Sequence, residues 1–428
     1  MSAAAQRTRL ARACLLFSCT WVHPLVMRDC SEMAGPQDSS MDTSFDVVVA
    51  GHICLDIIPT ILRPQIEFLP GQLVEVGPAV LSTGGAVSNT GLALDKLSVP
   101  TRLMGKVGDD PFGSAIRAIV ARHNSALNAG MRVATGEATS YTVIISTPSQ
   151  DRMFLHCPGC NDTFGAEDVD YAMLAGARLF HFGYPPLMKR MIEADGAQLV
   201  EMLRRAKATG VTTSLDMCMP DPNSLSGRVN WPRILAAALP YVDIFLPSLD
   251  ETLFMLYPDR RPEIAGVNPP KNPALLTEIG SKLLEMGPSV VGLKMGSLGF
   301  YLRTGTAEQW RGRGRACPAN LQEWAGREIW SPCFRAAVVG TTGSGDATIA
   351  GFLAGLLQDQ SPGECATLAC AVGACNVEAA DALGGLRSRE ETLDRLRAGW
   401  TRAHIEVQGL GWRNDGATGL WFGPSGLG

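Results

Sequence analysis

The sequence has no long hydrophobic run and no excess of positive charge. None of its apolar stretches approaches the roughly 18 residues that a membrane-spanning helix requires. Lysine and arginine (37) are outnumbered by aspartate and glutamate (42), which gives a net charge of −5. These two shortages argue against a membrane protein and against a broad surface for nucleic acid or anionic lipid. We therefore expect no nucleic-acid partner and no membrane partner.

The sequence also lacks a cysteine framework. Its twelve cysteines are scattered over 428 residues and have no disulfide-type spacing, which favours a reducing compartment. We therefore expect a cytoplasmic protein. Cys157 and Cys160 form a single C-x-x-C pair, with no second pair at zinc-ribbon distance. Two unpaired thiols is one interpretation of this pair, and a redox or metal role is the other.

The first 44 residues differ from the rest of the chain. Three arginines precede a short apolar run in "RTRLARACLLFSCTWV", a pattern that resembles a secretion signal but lacks a convincing cleavage site. We expect residues 1–44 to be a disordered extension, residues 45–400 to form the main domain, and residues 401–428 to be a C-terminal tail.

Short β-branched segments alternate with longer helix-compatible segments along the main domain. Predicted strands lie at 45–51, 102–108, 141–146, 178–183, 211–217, 242–248 and 290–296, and predicted helices at 85–98, 111–124, 188–209, 273–287 and 346–358. This alternation is typical of an α/β fold with a mostly parallel sheet and helices on both faces. Ligands of such sheets bind beyond the carboxyl ends of the strands. The polar residues that follow strands are Asp56, Asp216, Ser248, Glu251 and Lys294.

Two segments interrupt the alternation. Residues 57–82 contain several prolines and strand-like pieces without a helix, and residues 131–146 offer another strand pair. Together they predict a small sheet that projects from the main domain as a lid. Residues 304–334 are rich in Arg, Gly, Trp and Pro, and they predict an excursion between two strands.

The segment "VVGTTGSGDATIAGFLAGLL" (338–357) joins a glycine-rich turn to an apolar helix. Gly340, Gly343 and Gly345 form the turn, and Asp346 stands where the helix begins. The free backbone N–H groups at such a helix start favour an anion. Small residues then recur at every fourth position, at Ala347, Gly351 and Gly355. This stripe predicts close packing against another element.

A second glycine cluster, "STGGAVSNTG" (82–91), precedes the first predicted helix. Gly84 and Gly85 allow a ligand to approach the backbone, and the Asn89 amide can both donate to and accept from a hydroxyl. Ordinary turn glycines at a helix start are the alternative. Asp56, after the first strand, could likewise hold two hydroxyls or cap a turn.

Four motifs resemble, in order, those of the ribokinase-like (PfkB) carbohydrate kinase family. "GGAVSNTGLALDKLSVPTRLMGKVGDDPFG" and "GTTGSGDATIAGFLAG" are similar to its two signatures, and "VDIFLPSLDE" and "LKMGSLG" stand between them. The similarity spans roughly residues 45–390. It implies a ribokinase-like fold with a β lid, phosphorylation of a sugar or polyol hydroxyl by ATP with Mg²⁺, and a homodimer formed through the lid.

The resemblance also implies a role for each matching residue. Asp346 would be the general base, with Gly343, Ser344 and Gly345 as the anion hole for the transferring phosphoryl group. The sugar would be held by Asp56, Gly84, Gly85 and Asn89. Glu251 would organise Mg²⁺ and the phosphates. The other nucleotide-side positions would be Ser248, Lys294, Gly296, Gly299 and Thr342.

The sequence departs from the family pattern at three positions. Gly340 replaces an Asp that helps to hold a monovalent cation in relatives. This replacement argues against activation of the protein by K⁺. Ser248 replaces the Asn of the N-x-x-E motif, which weakens the organisation of Mg²⁺ without removing Glu251. Ser344 replaces an alanine, where only the backbone N–H matters.

Three other assignments compete with a sugar kinase. A nucleoside kinase shares the fold, and a non-catalytic sugar-binding regulator would keep it without turnover. A dinucleotide-binding dehydrogenase is weaker, because "AGHICLD" follows the first strand in place of G-x-G-x-x-G. Asp109 and Asp110 suggest either a metal site or a turn before Pro111, and the resemblance favours the turn.

Overall fold

The computed structural model describes residues 44–63, 69–147, 150–259 and 273–424. The predictions for the N-terminal extension therefore lie outside the described residues. The described residues from Ser44 onward belong to one compact unit.

The strands and helices follow the predicted alternation through most of the chain. The strands are β1 (Val47–Gly51), β2 (Cys54–Thr60), β3 (Gly77–Gly84), β4 (Thr101–Met104), β5 (Lys106–Gly108), β6 (Arg132–Ala134), β7 (Tyr141–Thr147), β8 (Gln150–Cys157), β9 (Leu179–Gly183), β10 (Thr212–Leu215), β11 (Ile244–Phe245), β12 (Val290–Lys294), β13 (Phe300–Thr304), β14 (Glu328–Ser331), β15 (Arg413–Asn414) and β16 (Trp421–Phe422). The helices are α1 (Ala86–Lys96), α2 (Pro111–His123), α3 (Tyr171–Gly176), α4 (Lys189–Ile192), α5 (Ala197–Ala208), α6 (Trp231–Ala238), α7 (Leu249–Leu256), α8 (Ala274–Glu285), α9 (Ala307–Trp310), α10 (Leu321–Trp324), α11 (Ser344–Leu357), α12 (Pro362–Asn376) and α13 (Arg389–Arg397).

The central sheet has ten strands in the order β15-β16-β14-β13-β12-β11-β10-β9-β1-β4. The ladder from β4 to β12 is parallel, and β13, β14, β16 and β15 extend it with antiparallel pairs. The mostly parallel sheet predicted from the sequence is confirmed. Its parallel strands end at one edge, which is where ligand-binding side chains collect.

Hydrophobic cores cover both faces of this sheet. Val47 and Val49 of β1 pack in a core that includes residues of α1, α11 and α12. Val48 and Ala50 point the other way, into a core with residues of α5, α6 and α8. Because successive residues of a strand face opposite sides, the unbroken apolar run of β1 reflects burial on both faces.

The small-residue stripe of α11 lies against α12, as the spacing predicts. A Cβ on Gly351 would lie 2.7 Å from the Leu368 carbonyl oxygen, and one on Gly355 would lie 3.0 Å from Cys365 Sγ. Only residues without a side chain allow the two helix backbones to approach so closely.

The lid is a four-stranded sheet in the order β3-β2-β7-β8. The prediction from 57–82 and 131–146 is right for β2, β3 and β7. It is wrong for β6, which pairs in parallel with β5 outside the lid. The fourth lid strand is β8, at residues 150–157, which pairs antiparallel with β7.

Three other segments differ in detail from the sequence prediction. Residues 102–108 divide between β4 and β5, and 188–209 divides between α4 and α5, where Asp195 and Gly196 take positive φ angles of 56° and 78°. Residues 401–424, which the sequence analysis separates as a tail, add β15 and β16 to the central sheet. Trp412 packs edge-on against Trp330 at 6.3 Å between ring centroids.

The excursion at 304–334 carries α9 and α10 between β13 and β14, as predicted. Its Trp310 and Trp324 are buried against each other in edge-to-face contact, 5.5 Å between centroids. No helix among the described residues is both long and apolar enough to span a bilayer.

Candidate active site

Asp346 is buried at the start of α11 and accepts three side-chain hydrogen bonds. Asn89 Nδ2 donates to Asp346 Oδ2 at 3.0 Å, and the Tyr184 hydroxyl donates to the same oxygen at 2.8 Å. Thr90 Oγ1 donates to Oδ1 at 3.3 Å. These donors come from α1 and from the loop after β9, so the fold fixes the carboxylate from two sides.

The surroundings of Asp346 have opposing effects on its pKa. Burial raises the pKa of Asp346, while the donors on Asn89, Tyr184 and Thr90 and the nearby Lys294 lower it. The net direction is upward, so the carboxyl is a stronger base than an exposed aspartate. A buried carboxylate with a raised pKa suits proton abstraction from a hydroxyl.

The first turn of α11 is open to an anion. Gly343 precedes the helix with φ 71°, and no side chain caps the helix start. Such a terminus presents backbone N–H groups and the positive end of the helix dipole. The Ser344 N–H itself donates to the Thr341 carbonyl at 3.3 Å, and its hydroxyl to the same oxygen at 2.9 Å.

Lys294 adds a positive charge beside this turn. A Cβ on Gly345 would lie 3.5 Å from Lys294 Cδ and 3.9 Å from Nζ. The Nζ donates to Asp216 Oδ1 in a buried ion pair between the ends of β12 and β10. Burial lowers the pKa of Lys294, but Asp216 and Glu251 outweigh burial and raise it, so the ammonium stays charged.

A cavity of about 360 Å³ opens next to Gly345 and Lys294. Its walls are mainly apolar or small residues of α11, α12 and the segment after β14. Of the positions predicted to face the nucleotide, Lys294, Gly296 and Gly299 line this cavity, as do Ser344 and Gly345. Thr341 lines it in place of its neighbour Thr342, which is half-buried in the turn.

Ser248 and Glu251 form a capping box at the start of α7. Glu251 N donates to Ser248 Oγ at 3.1 Å, and Glu251 Oε2 accepts from Ser248 N at 2.6 Å. Ser248 therefore acts as the N-cap of α7. Burial raises the pKa of Glu251, with Lys294 opposing that effect.

Asp56 lies inside β2, in the lid, and not in a turn. Its Oδ1 accepts a long hydrogen bond of 3.4 Å from Cys54 Sγ, and burial raises its pKa to about 6. A Cβ on Gly84 would lie 2.4 Å from Asp56 Oδ2. Gly85 has φ 88° and directly precedes α1, which carries Asn89. Among the predicted sugar-binding positions, the structure thus brings Gly84 against Asp56 and Asn89 against Asp346.

Sequence reasoning missed three residues of this site, namely Thr90, Tyr184 and His52. It named Asp216 but did not predict its ion pair with Lys294. Tyr184 is a non-glycine residue with φ 66° and ψ 42°, a left-handed conformation that is uncommon and often functional. Its place directly after β9, at the carboxyl edge of the sheet, was the available signal.

Two motifs have structural roles. Asp110 caps α2 by accepting from Gly113 N at 2.8 Å, with Pro111 at the first helical position, so the turn interpretation is confirmed. Cys160 is buried, and its Sγ donates to the Lys106 carbonyl at 3.1 Å. Across the described residues, no cluster of three or more His, Cys, Asp or Glu side chains forms a metal site by itself.

At Gly340 the chain has no room for a side chain. A Cβ there would lie 2.9 Å from the carbonyl oxygens of Ala379 and Ala380. At this position the chain therefore has neither a carboxylate nor the space for one.

Comparison with known proteins gives a consistent assignment. The profile of the "pfkB family carbohydrate kinase" matches residues 44–388. The chain is 26% identical over 369 residues to "Probable fructokinase-6, chloroplastic" of Arabidopsis thaliana, covering 84% of each chain. It is 26% identical over 322 residues to fructokinase-2 of Zea mays, covering 74% of this chain and 81% of the relative.

Solved structures support the same fold. Arabidopsis thaliana ribokinase, complexed with ribose and ATP, superposes with a TM-score of 0.62 at 20% identity, covering 83% of this chain and 99% of that one. Fructokinase from Xylella fastidiosa with bound ATP gives a TM-score of 0.60 at 20% identity, covering 82% and 98%. These likenesses show a ribokinase-like fold.

Proposed function

The chain belongs to the PfkB family and is a carbohydrate kinase, and on that premise we propose that it transfers the terminal phosphoryl group of ATP to a hydroxyl of a sugar or related polyol. Asp346 is the general base in this proposal. The observation that carries it is the position of one buried carboxylate. Asp346 stands in the uncapped first turn of α11, near Lys294, and is bonded to Asn89 of α1.

Asp346 takes the proton from the acceptor hydroxyl. The O–H bond breaks as the oxygen attacks phosphorus, the proton passes to a carboxylate oxygen of Asp346, and the bond to the leaving ADP oxygen breaks. Asn89, Thr90 and Tyr184 hold the carboxylate in place. Their donated hydrogen bonds lower the pKa of Asp346 and so favour its ionised form.

The charge of the transferring group is stabilised by the chain from two directions. The N–H groups at Gly343–Gly345 lie at the positive end of α11, and Lys294 Nζ lies beside the same turn. Phosphoryl transfer depends mainly on such positioning and electrostatic stabilisation. Gly296 and Gly299 line the cavity in which the nucleotide would lie.

The donor set near Lys294 is compatible with Mg²⁺. Asp216 Oδ2 is buried and, among the described residues, has no hydrogen-bond partner. Glu251 provides a second carboxylate close to the same lysine. Oxygen ligands of this kind suit Mg²⁺, and Asp216 and Glu251 would hold it with the nucleotide. The ion would neutralise phosphate charge.

The test is Asp346→Asn, which keeps the shape of the side chain but removes the base. Sugar and ATP binding should persist, while turnover should fall by about 10²- to 10⁴-fold, the usual cost of losing a general base. Phosphate transfer from ATP to pentoses, hexoses, keto-acid sugars, inositols and nucleosides measures turnover, and calorimetry measures binding.

Asp394→Asn, an exposed aspartate of α13, is the matched control and should keep wild-type turnover. Retention of turnover within a few-fold in Asp346→Asn would contradict the assignment of the base. Binding without turnover on every acceptor would favour the regulator, and preference for a nucleoside would favour the nucleoside kinase.

We also propose a homodimer that forms through the lid and a cytoplasmic location. The lid proposal draws on the apolar side chains that its sheet exposes, and the location on the cysteine pattern.

A further inference from the structure

His52 is a buried histidine whose hydrogen-bonding capacity is unused. It lies between β1 and β2 and is 2% exposed. Among the residues that the structure describes, neither Nδ1 nor Nε2 has a hydrogen-bond partner. Burying a polar group without a partner is unfavourable, and such groups are uncommon in folded proteins. A histidine in this state therefore indicates a hydrogen-bonding ligand that is absent from the free protein.

The ring of His52 lies on the acceptor side of Asp346. A Cβ on Gly85 would lie 2.5 Å from its Nδ1. Its ring centroid is 6.3 Å from that of Tyr184, whose hydroxyl donates to Asp346, and 5.3 Å from that of His156 on lid strand β8. His52 is thus surrounded by the glycine turn, a residue bonded to the proposed base, and the lid.

The backbone keeps His52 in this position. Its carbonyl accepts from Val87 N at 3.1 Å at the start of α1, and its N–H donates to the Gly183 carbonyl at 3.2 Å. The backbone groups of His52 are therefore satisfied within the fold, and only the imidazole is left without a partner.

The ring of His52 is neutral. Burial, with a smaller effect from His156, lowers the pKa of His52 to about 3. Burial also lowers the pKa of His156, whose Nδ1 lies 3.0 Å from Thr142 Oγ1.

We propose that His52 binds a hydroxyl of the acceptor sugar or polyol. This inference rests on the proposed kinase function. A neutral imidazole has one N–H donor and one acceptor nitrogen, so it can pair with a hydroxyl in either direction. That pairing would satisfy the unused group at the moment of binding.

The first experiment identifies the best acceptor of the wild-type protein. Hexoses, pentoses and inositols are compared by kcat/KM at a fixed ATP concentration, and the best of them is used in the measurements that follow.

The second experiment replaces His52. His52→Leu should raise KM for the best acceptor by about 10- to 100-fold, the range expected for one lost buried hydrogen bond, with kcat changed much less. His52→Gln, which keeps a donor and an acceptor, should recover part of the loss. His123→Ala, at an exposed position in the last turn of α2, is the matched control and should keep the wild-type KM.

A stability measurement separates binding from a structural role. Because the ring is unpartnered in the free protein, His52→Leu should keep or raise the melting temperature without sugar. It should also lose most of the sugar-induced rise in melting temperature. A large drop in the melting temperature of the free variant, or a wild-type KM in His52→Leu, would overturn the inference. If the wild-type protein neither binds nor phosphorylates a sugar or polyol, both this inference and the proposed function fail.

Discussion

At the scale of single residues, the site depends on what surrounds Asp346 as much as on Asp346 itself. Asn89 and Tyr184 both donate to Oδ2 and so hold that oxygen in a fixed position. Tyr184 reaches it from a left-handed backbone conformation. Strained backbone conformations of this type are found most often at functional positions.

Tyr184→Phe should move the acidic limb of the kcat/KM profile to higher pH. The phenol donates to the carboxylate and so lowers the pKa of Asp346, whereas burial raises it. Removal of the phenol should therefore raise the pKa of Asp346 further. The base is active only when ionised, so activity should be lost at a higher pH as the solution is acidified. A pH profile on the preferred acceptor measures this.

Tyr171→Phe serves as the control for Tyr184, because the Tyr171 hydroxyl donates to the Ala166 carbonyl, in another part of the fold. Its acidic limb should coincide with that of the wild type. An unchanged limb in Tyr184→Phe would show that the phenol does not act on the base.

At the scale of elements, short caps determine where functional side chains lie. The capping box of Ser248 and Glu251 sets the start of α7 and at the same time keeps a carboxylate near Lys294. One side chain therefore has a structural role and, in our proposal, a role toward Mg²⁺. The two roles can be separated, because a glutamine at this position caps a helix as a glutamate does.

Glu251→Gln should keep the stability of the protein but weaken its response to Mg²⁺. The melting temperature should stay near that of the wild type, since the cap is retained. The Mg²⁺ concentration that gives half-maximal rate should rise, because a carboxylate is replaced by a neutral amide. Titrating the initial rate with Mg²⁺ at constant ATP measures the effect.

Ser248→Ala is the complementary variant. It removes the N-cap and should lower the free energy of unfolding by about 1 kcal/mol while keeping the Mg²⁺ response closer to that of the wild type. If Glu251→Gln gives a wild-type titration with Mg²⁺, then Glu251 is a helix cap only.

At the scale of the whole molecule, the lid exposes apolar side chains on both of its faces. Phe154 and Leu155 are neighbours on β8, so they lie on opposite faces, yet they are 53% and 51% exposed. Val80 and Leu81 on β3 are similarly exposed, at 57% and 51%. Exposed apolar side chains grouped on one element often mark an interaction site, and in our proposal a second copy of the chain covers one face of the lid.

The wild-type protein should therefore have about twice its monomer mass of 45.6 kDa when light scattering is measured after size-exclusion chromatography. Phe154→Asp and Leu155→Asp place a charge on the two faces separately, and the variant that halves the mass identifies the covered face. Leu410→Asp, at a fully exposed position outside the lid, should remain dimeric. A wild-type mass of one chain across the concentration range would contradict the dimer.

The sequence by itself determined the alternation of strands and helices, the glycine turn before α11 and the position of Asp346 in its first turn. It also indicated the close contact of α11 through Gly351 and Gly355. These features are local, because periodicity, turn glycines and capping residues act within a few positions of the chain. The same holds for Asp110, whose cap on α2 joins residues three apart.

Only the tertiary structure decided which distant residues meet. Asn89 lies 257 positions from Asp346, and Tyr184 lies 162 positions from it. Asp216 and Lys294 are 78 apart. The choice of β8 over β6 as the fourth lid strand likewise depended on which edge was available for pairing. Contacts of this kind arise when the sheet orders its strands, and no local property of the residues specifies them in advance.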